Sequence, residues 1–345
     1  MQVLPPISQM HLAVERKSSL YDGVFYLGVK TTGIFCRPSC SARLALPQHR
    51  RYFVSTDEAL TAGYRPCKRC HPLLADLTPD YVKQAISLTM GEKLMFRDTD
   101  LKSLGIDPVQ IRRYFLRNYG VTFQKFVRLQ RMEAALDEVR SGVDADTAMY
   151  NMGYESLSGF RDTFKNVFGF NPGKIKDVKV INFEWINTPL GSLLAGSTNE
   201  GICWLEFADL RSKNRELQSL RMYSQGILIP GANQHIGLLK NELSKYFNRE
   251  LKAFSVPVTH KGTQFQTKVW DALQRIPYGK TISYAQLARE VNNPKAVRAV
   301  AQANGQNKIV ILIPCHRVIN TGGKLGGYSG GMWRKKILLK TEGII

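Results

Sequence analysis

Ile313-Pro314-Cys315-His316-Arg317-Val318 decides how the C-terminal part of this chain is read. It follows an alanine-rich helical stretch and stands just before a glycine-rich loop. A cysteine between a proline and a histidine can become a thiolate near neutral pH, and a thiolate is a strong nucleophile towards carbon. The chain carries 48 Lys and Arg against 28 Asp and Glu, a net charge of +20 over 345 residues. A basic excess of this size reads either as a solvated surface or as the footprint of phosphate binding, and beside such a cysteine the second reading places the electrophile on a polyanion. Together the two features point to removal of alkyl groups from nucleic acid.

Length allows two or three domains, and 43% apolar residues are enough for packed cores. No apolar run approaches the roughly 20 residues of a membrane helix, and the first ten residues lack a basic head and an apolar signal core. A cytoplasmic protein without membrane contact is expected. Thiols stay reduced there, so the six cysteines read as metal ligands, nucleophiles or core residues.

Four segments follow from composition. Residues 1–78 hold four cysteines among short strands and turns, and Leu77-Thr78-Pro79-Asp80 reads as a boundary with Thr78 as a helix cap. Residues 79–176 are helical. One helix starts at Asp107-Pro108 and ends at Gly120, a second spans 123–139, and a pair covers 144–152 and 156–168 with a turn at Gly153-Tyr154. Phe160, Phe164 and Phe168 give the last helix an apolar stripe, and Asn171-Pro172-Gly173 closes the region. In 177–261, residues 179–209 alternate apolar and polar, which predicts an antiparallel strand set, and 236–248 an amphipathic helix. Residues 262–345 read as mostly helical with glycine-rich loops.

Cys36 and Cys40 are separated by three residues and Cys67 and Cys70 by two, and both spacings suit tetrahedral zinc. Four thiolates on one Zn2+ carry a net charge of minus two, so each sulfur is electron-rich and an exposed one could attack a methyl group. Thr31-Thr32-Gly33-Ile34-Phe35-Cys36-Arg37-Pro38-Ser39-Cys40 and Gly63-Tyr64-Arg65-Pro66-Cys67-Lys68-Arg69-Cys70 resemble the N-terminal domain of Ada-type proteins. The resemblance implies that Cys36 accepts a methyl group from a DNA methylphosphotriester while remaining a zinc ligand. Spacing alone does not choose among the four. Methylation would take the site from minus two to minus one and weaken its repulsion from phosphates, leaving Arg37, Arg43, Arg65, Lys68 and Arg69 to hold the backbone.

Residues 101–170 resemble the double helix-turn-helix of AraC-type transcription factors. The second unit, with Met152-Gly153-Tyr154, Phe160, Phe164 and Phe168-Gly169-Phe170-Asn171-Pro172, is the clearer. Its Ser156, Ser158, Arg161 and Lys165 face away from the stripe, towards bases or phosphates. The first unit opens with a short helix and matches less well.

From Thr263 onward the chain resembles O6-alkylguanine-DNA alkyltransferases. Phe265-Gln266-Thr267-Lys268-Val269-Trp270, Ile276-Pro277-Tyr278-Gly279, Ser283-Tyr284, Arg298-Ala299-Val300, the Cys315 stretch and Gly327-Tyr328-Ser329-Gly330-Gly331 occur in order. The resemblance implies a Cys315 nucleophile, a His316 base acting through a water, and Glu342 behind it as the orienting acid. It further implies that Asn307 ties the helix-turn-helix to the active-site loop, and that Arg298 fills the gap left by a flipped base. Tyr284 would press on the phosphate or base, and the backbones of Val318 and Ser329 would read the guanine edge. Lys308 stands where the family has proline, and Ala301 where it has glycine. A thioether product is not cleaved by water, so each site would act once. Cys203, in an apolar strand, reads as core.

The whole chain thus resembles the Ada family. The expectation is a multidomain α+β protein with a small zinc-bound α/β domain, an all-α double helix-turn-helix, and an α+β alkyltransferase module with a winged-helix-like active-site domain. Its partners would be double-stranded DNA, alkylated and promoter, and RNA polymerase, met as a monomer. The alternative is a zinc-stabilised transcription regulator without repair activity, against which the intact Pro314-Cys315-His316-Arg317 argues.

Overall fold

The computed structural model describes residues 4–18, 21–70, 72–73, 79–88, 96–172, 178–208 and 213–345. The chain divides into two units, one of Met1–Ala75, Trp185–Ser212 and Gln234–Ile345, the other of Asp76–Glu184 and Lys213–Asn233.

In the first unit, α1 (Ile7–Glu15) leads into β1 (Tyr26–Val29), β2 (Ile34–Cys36), β3 (Arg50–Phe53), α2 (Thr56–Thr61) and β4 (Arg65–Pro66). The strands form one sheet in the order β3-β1-β2-β4, with β1 antiparallel to β2 and β3, and β2 parallel to β4. Gly28 sits where a Cβ would lie 2.5 Å from the Phe53 ring and 2.8 Å from Tyr64, so only glycine lets these rings close over β1. Ser55 caps α2, accepting from Glu58 N, while the Glu58 carboxylate accepts from Val54 N.

The second unit opens with α3 (Asp80–Leu88), α4 (Asp98–Ser103), α5 (Pro108–Tyr119), α6 (Phe123–Arg140), α7 (Ala145–Asn151) and α8 (Leu157–Phe168). Their ends follow from local chemistry. Asp107, Thr122, Asp144 and Ser156 accept from backbone N–H groups at the starts of α5, α6, α7 and α8, and Gly120 and Gly169 end α5 and α8 with φ of 71° and 83°. Phe160, Phe164 and Phe168 are all buried, on one cluster with Met132 and Leu136 of α6. The expected cap Thr78 and Gly173 lie outside the described residues.

The chain continues through β5 (Val180–Thr188), β6 (Gly191–Ser197), β7 (Ile202–Phe207), α9 (Lys213–Ser224) and β8 (Ile227–Pro230). β6 and β7 pair antiparallel, as the alternation over 179–209 predicts, and two features differ from that pattern. Every residue of β6 is buried, because its polar positions are serines whose hydroxyls find near acceptors: Ser192 donates to Asn187 at 2.8 Å and Ser197 to the Thr198 carbonyl at 2.9 Å. The start of β5 pairs in parallel with β8, within the second unit, a long-range match that periodicity does not encode. There β8 packs on α6, and Ile229 is fully buried in the α6–α8 cluster.

Back in the first unit come α10 (Gln234–Phe247), α11 (Gln264–Gln274), β9 (Ile282–Ser283), α12 (Tyr284–Glu290), α13 (Val297–Gly305), β10 (Val318–Ile319) and α14 (Met332–Thr341). Thr263 and Ser283 close capping boxes with Gln266 and Gln286. α11, α12 and α13 pack on one another, and Trp270 of α11 donates to the Ala303 carbonyl of α13 at 2.9 Å. β9 and β10 pair in parallel, which sets Ser283 beside the segment that leaves Cys315. One buried cluster joins Met10, Val14 and Phe25 to Leu193, Trp270 and Ile313.

Candidate functional site

The parallel pairing of β2 with β4 explains the cysteine cluster. Cys36 ends β2 and Cys67 follows β4, with Cys67 N donating to the Phe35 carbonyl at 3.0 Å. Cys40 returns in the turn after Cys36, its N–H on the Arg37 carbonyl at 3.1 Å. The ligand atoms of Cys36, Cys40, Cys67 and Cys70 all lie within 4.8 Å of one another, and the Cys40 and Cys67 sulfurs are 3.9 Å apart. A tetrahedral zinc with bonds of about 2.3 Å would set its sulfurs about 3.8 Å apart. The residues therefore fit Zn2+.

Backbone N–H groups of Arg37 and Arg69 donate to the Cys70 and Cys67 sulfurs, both at 3.4 Å, which steadies negative sulfur. Sulfur hydrogen bonds with Cys40 and Cys70 push the Cys36 thiol far up, and those with Cys36 and Cys70 pull Cys40 down to about 2. Sulfurs so close share protons unless a cation neutralises them. Cys36 is 6% exposed and the most buried of the four, so exposure does not single it out as an acceptor. Arg43, Arg65, Lys68 and Arg69 are exposed around the cluster, whereas Arg37 is buried at 8%.

At the other site Cys315 opens a single 3₁₀ turn, 1% exposed, on the wall of a cavity of about 640 Å³ shared with Tyr284, Arg298 and Ser329. Asn307 Nδ2 donates to the Cys315 sulfur at 3.1 Å and to the Ile313 carbonyl at 2.9 Å, while its Oδ1 accepts from Ile309 N. Burial pushes the Cys315 thiol up to about 11, against the pull of Asn307 and of the Lys335 ammonium. Burial thus favours the thiol form, so the thiolate that the sequence allows near neutral pH needs a base beside it.

His316 is fully buried, and burial lowers its basicity despite Glu342. Its Nε2 lies 2.9 Å from Glu342 Oε1, and its Nδ1 has no hydrogen-bond partner among the described residues. For Glu342 burial pushes upward, but the bonds from His316 and Arg317 prevail and hold the carboxyl at about 2. Arg317 grips both carboxylate oxygens and donates to the Ile276 carbonyl at 2.6 Å, and Tyr246 donates to Glu342 at 2.8 Å.

Sequence reasoning missed Arg317, Tyr246 and Lys335 as parts of this site. Lys335, fully buried, donates to the Val318 carbonyl at 2.6 Å, with those of Gly326 and Gly327 at 3.4 and 3.5 Å. Val318 itself is buried in β10, behind the cavity lining. Arg298 is exposed on α13, and Tyr284 opens α12.

In the helical unit Arg161 is exposed on α8, and Ser156, also exposed, accepts from Gly159 N as the cap of that helix. α5 exposes Arg112, Arg113 and Arg117, a basic face on the first helix-turn-helix. Arg112 pairs with Asp98 of α4 at 3.3 Å.

Family models match three stretches: the metal binding domain of Ada over residues 9–72, a helix-turn-helix domain over 101–177, and the DNA binding domain of 6-O-methylguanine DNA methyltransferase over 264–344. The chain is 33% identical over 331 residues to the bifunctional transcriptional activator/DNA repair enzyme Ada of Escherichia coli, covering 93% of this chain and 92% of that protein. The chain belongs to the Ada family. It is also 31% identical over 343 residues to the regulatory protein ada of Salmonella typhimurium, over 96% of this chain and 95% of the relative. A crystal structure of Mycobacterium tuberculosis OGT in complex with DNA is 37% identical, covering 47% of this chain and 92% of that one, with a TM-score of 0.41. The stretch matched to the Ada metal binding domain holds all four clustered cysteines, and Zn2+ is the cofactor.

Proposed function

We propose that this Ada-family chain repairs alkylated DNA by irreversible transfer of alkyl groups to two of its own cysteines and, once methylated at Cys36, activates transcription of repair genes. It is a methylated-DNA–protein-cysteine methyltransferase. Cys315 takes alkyl groups from O6-alkylguanine and from O4-alkylthymine, and Cys36 takes methyl groups from DNA methylphosphotriesters. The observation that carries the reading is the Cys315 thiol on a cavity wall, with Asn307 on its sulfur and the neighbouring His316 bonded to Glu342.

At rest, burial favours the neutral forms of both Cys315 and His316. With burial pushing the thiol up to about 11, little of the sulfur is ionised near neutral pH, so a base must act with the substrate in place. The Cys315 proton passes to His316, whose imidazolium gains the Glu342 anion as its counter-charge. The sulfur then bonds to the alkyl carbon, the carbon–O6 bond breaks, and the electron pair stays on O6 until guanine is reprotonated. The thioether persists, so the site acts once. At the other site a zinc held by Cys36, Cys40, Cys67 and Cys70 would keep the thiols ionised. Cys36 sulfur bonds to the methyl carbon, the carbon–oxygen bond of the triester breaks, and a phosphodiester anion leaves.

In this reading Arg298 fills the gap of the flipped base and Tyr284 bears on the backbone or base. The backbones of Val318 and Ser329 read the guanine edge. Arg43 and Arg65 hold phosphates, while the buried Arg37 supports the cluster through its N–H on Cys70. Ser156 and Arg161 serve the second helix-turn-helix on promoter DNA. The working segments are 1–78, 79–176, 177–261 and 262–345. The partners are double-stranded DNA and RNA polymerase, met by a monomer in the cytoplasm. No described helix is long and apolar enough to cross a membrane. Peptide mass analysis after mixing with methylated DNA tests the reading. A methyl gain at Cys315 and Cys36 is expected, and a protein that binds zinc and DNA without either gain would be a plain regulator.

A further inference from the structure

Lys308 follows Asn307 directly, at the position where the alkyltransferase resemblance has a proline. A proline there would stiffen the turn by fixing φ. The lysine makes a different attachment. Its Nζ lies 3.0 Å from Glu206 Oε1 on β7 and 5.3 Å from the centre of the Trp204 ring on the same strand. Its carbonyl accepts from Leu205 N at 2.7 Å, and Val310 N donates to the Leu205 carbonyl at 2.9 Å. The stretch just after Asn307 is thus strapped to β7 by backbone and by charge.

The strap lies one residue from the amide that holds the nucleophile. Asn307 donates to Cys315 and to Ile313, and Ile311 between them has φ of 74°, a strained value for a β-branched residue. A turn that carries such a residue needs external support to stay in place. Glu206 also bears on the sulfur by charge. The titratable groups within electrostatic reach of Cys315 are Lys335 from α14, Glu206 from β7, the adjacent His316, and the phenols of Tyr284 and Tyr328. Of these Glu206 is the acid whose field opposes loss of the thiol proton. The Lys308 and Glu206 side chains are 36% and 19% exposed, so water screens the pair in part.

We infer that Lys308 is a positioning residue of the alkyl-transfer site, which clamps Glu206 of β7 so that Asn307 stays on Cys315 and the carboxylate charge is kept from the sulfur. The inference rests on the reading of Cys315 as nucleophile. It assigns to an ion pair in this chain the stiffening that a proline ring would give, and adds an electrostatic task that a proline could not perform.

The test uses the full chain and single-turnover methyl transfer from duplex O6-methylguanine, measured across a pH series. Lys308→Met keeps the stem and removes the charge. It is expected to slow transfer about fivefold near neutral pH and to move the midpoint of the pH–rate curve upward by about half a unit. Glu206→Gln is expected to move that midpoint downward, and Lys308→Met on the Glu206→Gln background should add no upward shift. Lys308→Arg, which retains the cation, should keep the wild-type midpoint, and it serves where Lys308→Met folds poorly. A Lys308→Met profile that superimposes on wild type, or an equal upward shift with and without Glu206, overturns the inference. Continued transfer by Cys315→Ala would overturn the nucleophile assignment itself, a separate failure.

Discussion

Glu342 accepts the Nε2–H of His316 at 2.9 Å while the very next residue, Arg317, binds both oxygens of the same carboxylate. One acid therefore orients the base and neutralises a buried cation. Tyr246 completes the set from α10, so the C-terminal turn is tied to two distant parts of the fold.

Glu342→Gln is expected to slow alkyl transfer at least tenfold, because the imidazolium loses its counter-charge. It should also lower stability by about 3–5 kcal/mol, since Arg317 stays buried without an anion. The folded carboxyl, at about 2, lies below the unfolded value of about 4.3. Its contribution is complete above about 4.3 and is lost as pH falls towards about 2. Urea unfolding should show the gap between wild type and Glu342→Gln shrinking by about 3 kcal/mol across that window. A gap unchanged by pH would contradict the ionised assignment.

Cys315→Ala should abolish transfer from O6-methylguanine with DNA affinity within about twofold of wild type. Only the Asn307 contact and one small buried group are lost, so unfolding free energy should fall by about 1 kcal/mol. Labelled-methyl transfer and thermal unfolding on the same preparation check both. Transfer at the original rate would put the nucleophile elsewhere.

Arg298→Ala should slow repair of duplex DNA about tenfold or more, while reaction with free O6-benzylguanine changes little. Extrusion of a base costs a few kcal/mol, and the free base needs none. Equal slowing on both substrates would contradict a role in base extrusion.

One zinc per chain with four sulfur ligands is expected from metal analysis and from the absorption-edge spectrum. Replacing Cys67, which joins β4 to β2 through its N–H as well as its sulfur, should release the metal and lower the melting temperature together. Full zinc content in Cys67→Ser would show that the cluster is not the metal site.

Methylation at Cys36 should raise affinity for a promoter fragment by about tenfold at low salt, and the gain should shrink as salt rises. One negative charge is lost near several phosphates, each pair contributing roughly 1 kcal/mol at about 4 Å in water. Equal affinity of the two forms at low salt would leave repair without a switch.

What was legible in the sequence was local. Cys36, Cys40, Cys67 and Cys70 have spacings that reflect ligand geometry over a few bonds, and Asp107, Thr122, Asp144 and Ser156 cap helices within three residues of themselves. What stayed hidden depends on partners far along the chain. The burial of Arg37, the parallel match of β5 with β8, and the gathering of Tyr246, Arg317 and Glu342 arise from tertiary packing. So does the fate of Cys315, since a flanking proline and histidine say nothing of how dry the sulfur will be.

The second unit is built from two separate lengths of chain, with Ile227 and Ile229 of β8 closing a cluster begun by Leu129, Met132 and Leu136 of α6. Cutting the polypeptide at residue 176, where composition changes, would therefore not yield a finished helical piece. It would bare the side of α6 that β8 covers and strip Gln130 of its acceptor, the Pro230 carbonyl at 3.3 Å. Truncations meant to isolate the helix-turn-helix would gain an adhesive flank. The helical unit is therefore complete only when both of its lengths of chain are present.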